Sequence, residues 1–261
     1  MADPVSLSGS SLGCYKRCPY WWYLEYVENE VRPPRLQMAR GLAGHEAIEQ
    51  ALHTKLEKGQ APPPEQITEF FMDLFVEYAR ESPEKQGQDT KADVFRRGVL
   101  AIEAWCRDIE PDIDPLYVEV GGQFDIDGIT YTWTADLITK DLLVKDWKFV
   151  KRKPQVGSDW GPDYTRNMQG YVIGARTALG LEEAGYELDY IVCTLDPYLV
   201  QATYPPLTDE DIDEFRDDVV ETHARIMDMQ FPPLGLGNNS CSWCPFADGT
   251  CEYYRRNHAN D

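Results

Sequence analysis

The chain has 261 residues, 43% of them hydrophobic, with a formal net charge of −20, long enough for one large domain or two small ones around a real core. No stretch approaches the roughly 20 apolar residues of a membrane span, and the opening MADPVSLSGS lacks the basic and apolar regions of a secretory signal, so a cytoplasmic protein with no membrane partner is expected. The acidic balance argues against a general polyanion binder, because the overall field repels phosphate.

SGSSLGCYKRCPYWWYLEYVEN opens with cap-type serines and predicts a helix over 11–28, with Pro19 placed to split off a first turn. After the turn RPP a second helix is expected over 36–56, and GQAPPPEQ ends it. Amphipathic helices follow over 65–80 and 91–109, separated by the polar loop ESPEKQGQDTKA. From Leu116 the period changes to two. LYVEVGGQFDI, ITYTWTADLIT and LLVKDWKFV read as consecutive strands. A helix over 163–178, strands over 190–194 and 201–204, a helix over 209–229 and a cysteine-rich tail complete the chain.

This order predicts a single mixed α/β domain: a mainly helical region 1–110, a sheet core 115–205, and a helix with the tail over 206–261. Cysteines sit near both termini, so the two ends are expected to meet. The aromatic run YWWYLEY reads as core more than as a base-stacking platform, and His53, His223 and His258 have no companions.

The third strand poses a question. Asp146 and Lys148 share one face of an otherwise apolar strand. Alone, D-x-K is a weak pattern that a charged edge strand also satisfies. Asp136 on the preceding strand could converge with Asp146 on one cation, because neighbouring strands lie about 4.8 Å apart. Glu119 lies one strand earlier, and Gly41 and His45 stand at i, i+4 on one helix face. Carboxylate oxygens suit Mg²⁺ or Mn²⁺, and a nearby imidazole moves the preference toward Mn²⁺. Basic residues gather beside this strand at Lys151, Arg152 and Lys153, and again at Arg32, Arg35 and Arg40. Both groups are read as patches that face phosphate.

The helical G-x-x-x-H, then Asp136, then D-x-K, then TRNMQGYVIGA, resemble the PD-(D/E)xK nuclease superfamily, in its RecB-like branch that includes CRISPR-associated exonucleases. The resemblance implies a restriction-endonuclease-like core, a central mixed sheet flanked by helices, and a metal-dependent DNA exonuclease acting on single-stranded ends. It implies a metal held by His45, Asp136, Asp146 and the backbone carbonyl of Trp147, with Lys148 orienting or activating water. Gln169 and Tyr171 fall where a helix supplies Gln and Tyr, although their spacing is tighter than the usual Q-x-x-x-Y. Glu119 matches an acidic position of some members, and pairing with a nearby lysine is the other reading.

Seven cysteines in such a chain point to metal or redox chemistry before disulfides. CSWCPFADGTC gives C-x₂-C-x₆-C, and YKRCP offers a fourth sulfur. The resemblance implies a [4Fe–4S] cluster on Cys18, Cys241, Cys244 and Cys251. Zn²⁺ in the same Cys₄ cage is the alternative, with Cys14 as the spare thiol. Cys106 and Cys193 read as buried. The competing function is a catalytically weak DNA-binding or accessory protein of recombination or CRISPR adaptation, and a third is an acidic interaction protein with a redox-sensing cluster.

Overall fold

The computed structural model describes residues 6–153, 164–237, 240–242, 244–247 and 249–257. Strand β1 (Leu7–Ser8) leads into α1 (Gly9–Arg17) through a capping box formed by Ser8 and Ser11. The expected first helix is two. Cys18 is extended at φ −161°, caps α1, and precedes Pro19 at the start of α2 (Pro19–Tyr26). Proline lacks the N–H that a continuous helix would need there, so the break falls one residue before it.

The long helix α3 (Leu36–Lys58) ends at left-handed Gly59, and α4 (Pro64–Tyr78) and α5 (Lys91–Asp108) follow close to their expected bounds. The intervening polar loop contains a small hairpin, β2 (Lys85–Gln86) with β3 (Asp89–Thr90). Its anchor is the buried Asp89, whose carboxylate accepts from Gln37, Arg97 and Lys151. A buried acid with three donors reads in sequence as one more loop aspartate.

The strands β4 (Pro115–Ile126), β5 (Ile129–Thr139) and β6 (Leu143–Val150) match the period-two segments. Helix α6 (Tyr164–Leu179) follows, and the residue at which it was expected to begin, Asp163, lies outside the described residues. β7 (Gly185–Val192) starts earlier than expected because Glu187 and Asp189 break its apolar run, yet all eight residues are buried. β8 (Tyr198–Tyr204), α7 (Asp209–Met227) and the short α8 (Glu252–Asn257) complete the chain.

The sheet runs β1-β5-β6-β7-β8, with β4 along the other edge of β5. β6 and β7 are parallel, while β4–β5, β5–β6 and β7–β8 are antiparallel. One core, built from Ala47, Phe71, Trp105 and Trp147, joins α3, α4 and α5 to the sheet. A second, with Tyr131, Trp133, Val172 and Phe215, lies under α1, α6 and α7. This is the expected mixed sheet flanked by helices. Among the described residues no helix is long and apolar enough to cross a membrane.

The chain ends meet, as expected. Tyr15 donates to the Gln230 carbonyl at 2.5 Å, and Arg35 donates to the Cys244 carbonyl at 2.7 Å. Arg32 pairs with Thr250, and the buried Arg40 donates to the Phe149 carbonyl at 3.1 Å. These three arginines were expected to face phosphate and instead fasten the C-terminal segment and β6. Arg35 meets two tail carbonyls, Arg32 a threonine hydroxyl and Arg40 a carbonyl of β6, and sequence does not show where such acceptors lie.

Helix α3 reaches β6 at Gly44. A Cβ there would stand 2.2 Å from Phe149 Cζ, whereas Gly41, singled out in the sequence, has open space beside it. Gly44→Ala should therefore destabilise the fold by about 1–3 kcal/mol through overpacking, and Gly41→Ala should not. Urea unfolding of the two variants checks this.

Candidate active site

β5 and β6 pair only at Leu137↔Lys145 and Ile138↔Val144. The next opposed residues are Asp136 and Asp146, where the strands part. Further along the same edge of β5, β1 pairs with Tyr131 and Thr132. The two acids thus sit in a fork between β1 and β6, with α3 alongside.

Within the fork the side chains take over the ladder's work. Asp136 Oδ2 accepts the Trp147 N–H at 3.0 Å and stands 3.1 Å from His45 Nδ1. Asp146, 1% exposed, pairs with the Lys148 ammonium. Asp146 Oδ2 makes no hydrogen bond of regular geometry, so the ion pair is its compensation. His45, Asp136, Asp146 and Lys148 are brought together as the sequence suggests.

Their protonation follows from burial and mutual charge. Burial pushes Asp146 up to about 6, against the pull of Lys148. Asp136 is also raised by burial, but His45 and Lys148 outweigh that and hold it low. Burial disfavours cationic His45 and Lys148, yet the two aspartates win and both pKa values rise. Lys148 therefore remains an ammonium at neutral pH.

Glu119 lies between Val118 and Val120, which pair with Leu137 and Ala135 on either side of Asp136, and takes a left-handed conformation with φ 47°. Burial, then Asp136 and Glu49, raise its pKa to about 7. Its charged neighbours include acids and His45, and among the described residues it forms no ion pair with a lysine. The Tyr171 phenol is raised by burial first and then by the charges of Asp146 and Asp136, so it is a neutral group.

Gln169 is buried on α6. Its side-chain carbonyl accepts from Arg166 at 3.0 Å, and Arg166 leans on Asp218. One turn before Tyr171 on α6 stands Asn167, an amide four residues ahead of the tyrosine and packed near Gly9. Tyr164, overlooked in the sequence, places its ring 5.1 Å from the Lys148 ammonium. Its signal was weak, being one tyrosine at the head of a helix. Of the adjacent cations, Lys151 is bound to Asp89 at 2.7 Å, while Arg152 and Lys153 are exposed.

At the other end of the molecule Cys18, Cys241, Cys244 and Cys251 line one cavity, and Cys14 is buried outside it. The Cys244 thiol is raised to about 12 by burial, with neighbouring thiols adding to the shift. The wall comes close at Gly235, where a Cβ would stand 3.0 Å from Cys241 Sγ and 3.7 Å from Cys18 Sγ. Cys106 and Cys193 are buried elsewhere, as expected. Among the described residues no three His, Cys, Asp or Glu side chains close into a ready-made cage for a metal ion. Trp22 of the aromatic run is core, while Tyr26 is exposed. His53 lies 3.7 Å from Glu49 on the surface, and His258 lies outside the described residues.

A family model described as the PD-(D/E)XK nuclease superfamily matches residues 6–251. No curated protein matches the chain. A crystal structure named "Putative exonuclease" from Eubacterium rectale superposes with a TM-score of 0.60 at 13% identity, covering 97% of this chain and 88% of that one. Its likeness is one of fold. The crystal structure of SSO0001 aligns at a TM-score of 0.36 and 12% identity over 91% of this chain and 93% of that one, too distant to carry weight.

Asp136 supports the fork before any chemistry happens. Asp136→Ala should strand the buried Trp147 N–H and cost about 1–3 kcal/mol. Hydrogen exchange should accelerate at the Trp147 amide and leave the Lys145 amide, held in the adjoining ladder, unchanged.

Proposed function

The chain belongs to the PD-(D/E)XK nuclease superfamily, and from that premise we propose that it is a Mg²⁺- or Mn²⁺-dependent exodeoxyribonuclease acting on single-stranded ends, stabilised by a [4Fe–4S] cluster. The observation that carries the catalytic reading is the meeting of His45, Asp136, Asp146 and Lys148 in the fork. The donor set fits a hard divalent cation, with two carboxylates, an imidazole and a buried oxygen lacking a regular hydrogen bond.

In this reading His45, Asp136, Asp146 and the Trp147 carbonyl hold the ion. Bound there, it supplies charge neutralisation at the phosphate and a more acidic water. Lys148, kept cationic by its acidic neighbours, orients the attacking water and offsets negative charge on the phosphate; it is poorly suited to accept a proton. Tyr171, held neutral, is suited to donate a hydrogen bond to a phosphate oxygen. Arg152 and Lys153, and Lys151 if it leaves Asp89, give the DNA backbone a handle beside β6.

For the cluster, four thiols converge from opposite ends of the chain around a cavity whose close-approach wall is a glycine. Four thiols lining one cavity are a donor set that a soft metal centre takes as they give up their protons. Such a centre ties α2 to the C-terminal segment, a structural role. Zn²⁺ would use the same sulfurs.

Asp146→Ala should lower Mg²⁺- or Mn²⁺-dependent release of nucleotides from a labelled single strand at least roughly a hundredfold. Retained activity would reject the site. Metal affinity, read by calorimetry, should fall as pH drops through about 6, because Asp146 then takes up a proton that competes with the ion. The sign follows from its raised pKa: the binding form accumulates above that value. Cys18→Ala should bleach an anaerobic brown preparation and lower its melting temperature. A colourless parent containing one zinc would reject iron.

A further inference from the structure

Lys148 continues into a row of side chains leading away from the fork. Its ammonium lies 5.1 Å from the Tyr164 ring centre. Arg17 ends α1, a helix packed against α6, which begins at Tyr164. The Arg17 guanidinium lies 5.2 Å from the Trp21 ring centre, and Trp21 Nε1 donates to Glu25 at 2.6 Å. Trp21 also forms part of the wall of the four-cysteine cavity. Cations and rings therefore alternate between the fork and the cysteine end.

We infer that Lys148, Tyr164, Arg17 and Trp21 form the binding track for the unpaired strand entering the site, with the cations meeting its phosphates and the rings its bases. This deepens the nuclease reading and rests on it. A single strand exposes phosphates and base faces side by side, whereas a duplex hides the faces in its stack, so an alternating row discriminates between them. The neighbouring tryptophan shows what a purely structural ring looks like here: Trp22 is 2% exposed and stacks on Phe231. Trp21 is only half-buried. Lys16 pairs with Asp218, and Arg35 donates to tail carbonyls. On α3 the stripe bearing His45 continues through Leu42 and Met38, both exposed, adding apolar surface at the spacing of successive turns.

The test is binding of a fluorescein-labelled oligothymidylate to the full chain in EDTA, followed by anisotropy, with a blunt duplex of equal length for comparison. Trp21→Ala should weaken oligothymidylate binding roughly tenfold, and Trp21→Phe should restore most of it. Duplex binding should change little. Arg17→Ala should weaken binding and reduce the log–log salt slope by about 0.7. In Mg²⁺ turnover both alanine variants should raise KM with kcat within about twofold, since the fork is untouched. Arg17→Ala carries the test if Trp21→Ala disturbs the cysteine cavity and melts early.

Oligothymidylate binding equal to the parent in a normally melting Arg17→Ala or Trp21→Ala variant overturns the track. So does equal loss for duplex and single strand, or a parent that does not bind oligothymidylate. A parent that binds oligothymidylate through Arg17 and Trp21 but hydrolyses nothing with Mg²⁺ or Mn²⁺ keeps the track and overturns the nuclease reading.

Discussion

Much of this structure depends on one constraint: a parallel-antiparallel sheet must open between β5 and β6 without leaving its backbone unpaired. Only two residue pairs join those strands before they part. Asp136 closes the gap by accepting the Trp147 N–H that a neighbouring strand would otherwise take. That bond fixes the carboxylate's direction, and His45 then meets the same oxygen from α3. The opening creates room for chemistry, and the side chain that repairs it is part of the site. A strand paired along its full length would satisfy the backbone and leave no such space.

The second consequence is the charge carried by β6. Lys145, Asp146 and Lys148 lie within four residues in mid-sheet, and each is compensated on its own face. Lys145 meets Glu187 at 2.6 Å and Asp189 at 3.1 Å, while Asp146 and Lys148 serve each other on the opposite face. The register makes the first group a row, with Lys145 beside Glu187 and Glu187 beside Thr203. Thr203 and Gln201 give Glu187 further hydrogen bonds. Removing Lys145 would leave Glu187 and Asp189 buried without their cation, a loss of about 3–5 kcal/mol. The network holds β6 to β7 behind the fork.

The sequence made most of this legible where its pattern was periodic. The period-two segments gave β4, β5 and β6, and the acidic positions on adjacent strands pointed to a shared site. What it hid was contextual. Gln169 and Tyr171 lie two apart, and a helix turns residues so spaced to different sides; Arg166 then claims the glutamine. Gly41 matched the helical pattern, but the close approach falls at Gly44, which depends on where Phe149 lands. Arg32, Arg35 and Arg40 looked like a phosphate patch because a charge run shows its sign and not its partners. The hairpin around Asp89 was hidden for the same reason.

Those committed cations change how the acidic surface should be understood. Many of the chain's basic side chains are spent on its own carbonyls and carboxylates, including Arg35 and Arg40 near α3, Lys55 at Glu110 and Lys151 at Asp89. With a net charge of −20, the overall field repels a polyanion, and on the proposed reading attraction comes from cations such as Arg152 and Lys153 beside β6. Salt then acts in two directions: it screens the general repulsion over about a Debye length, and it weakens the few local phosphate contacts. The net slope of binding against salt is the difference between these effects, so a shallow slope here is compatible with direct phosphate contact.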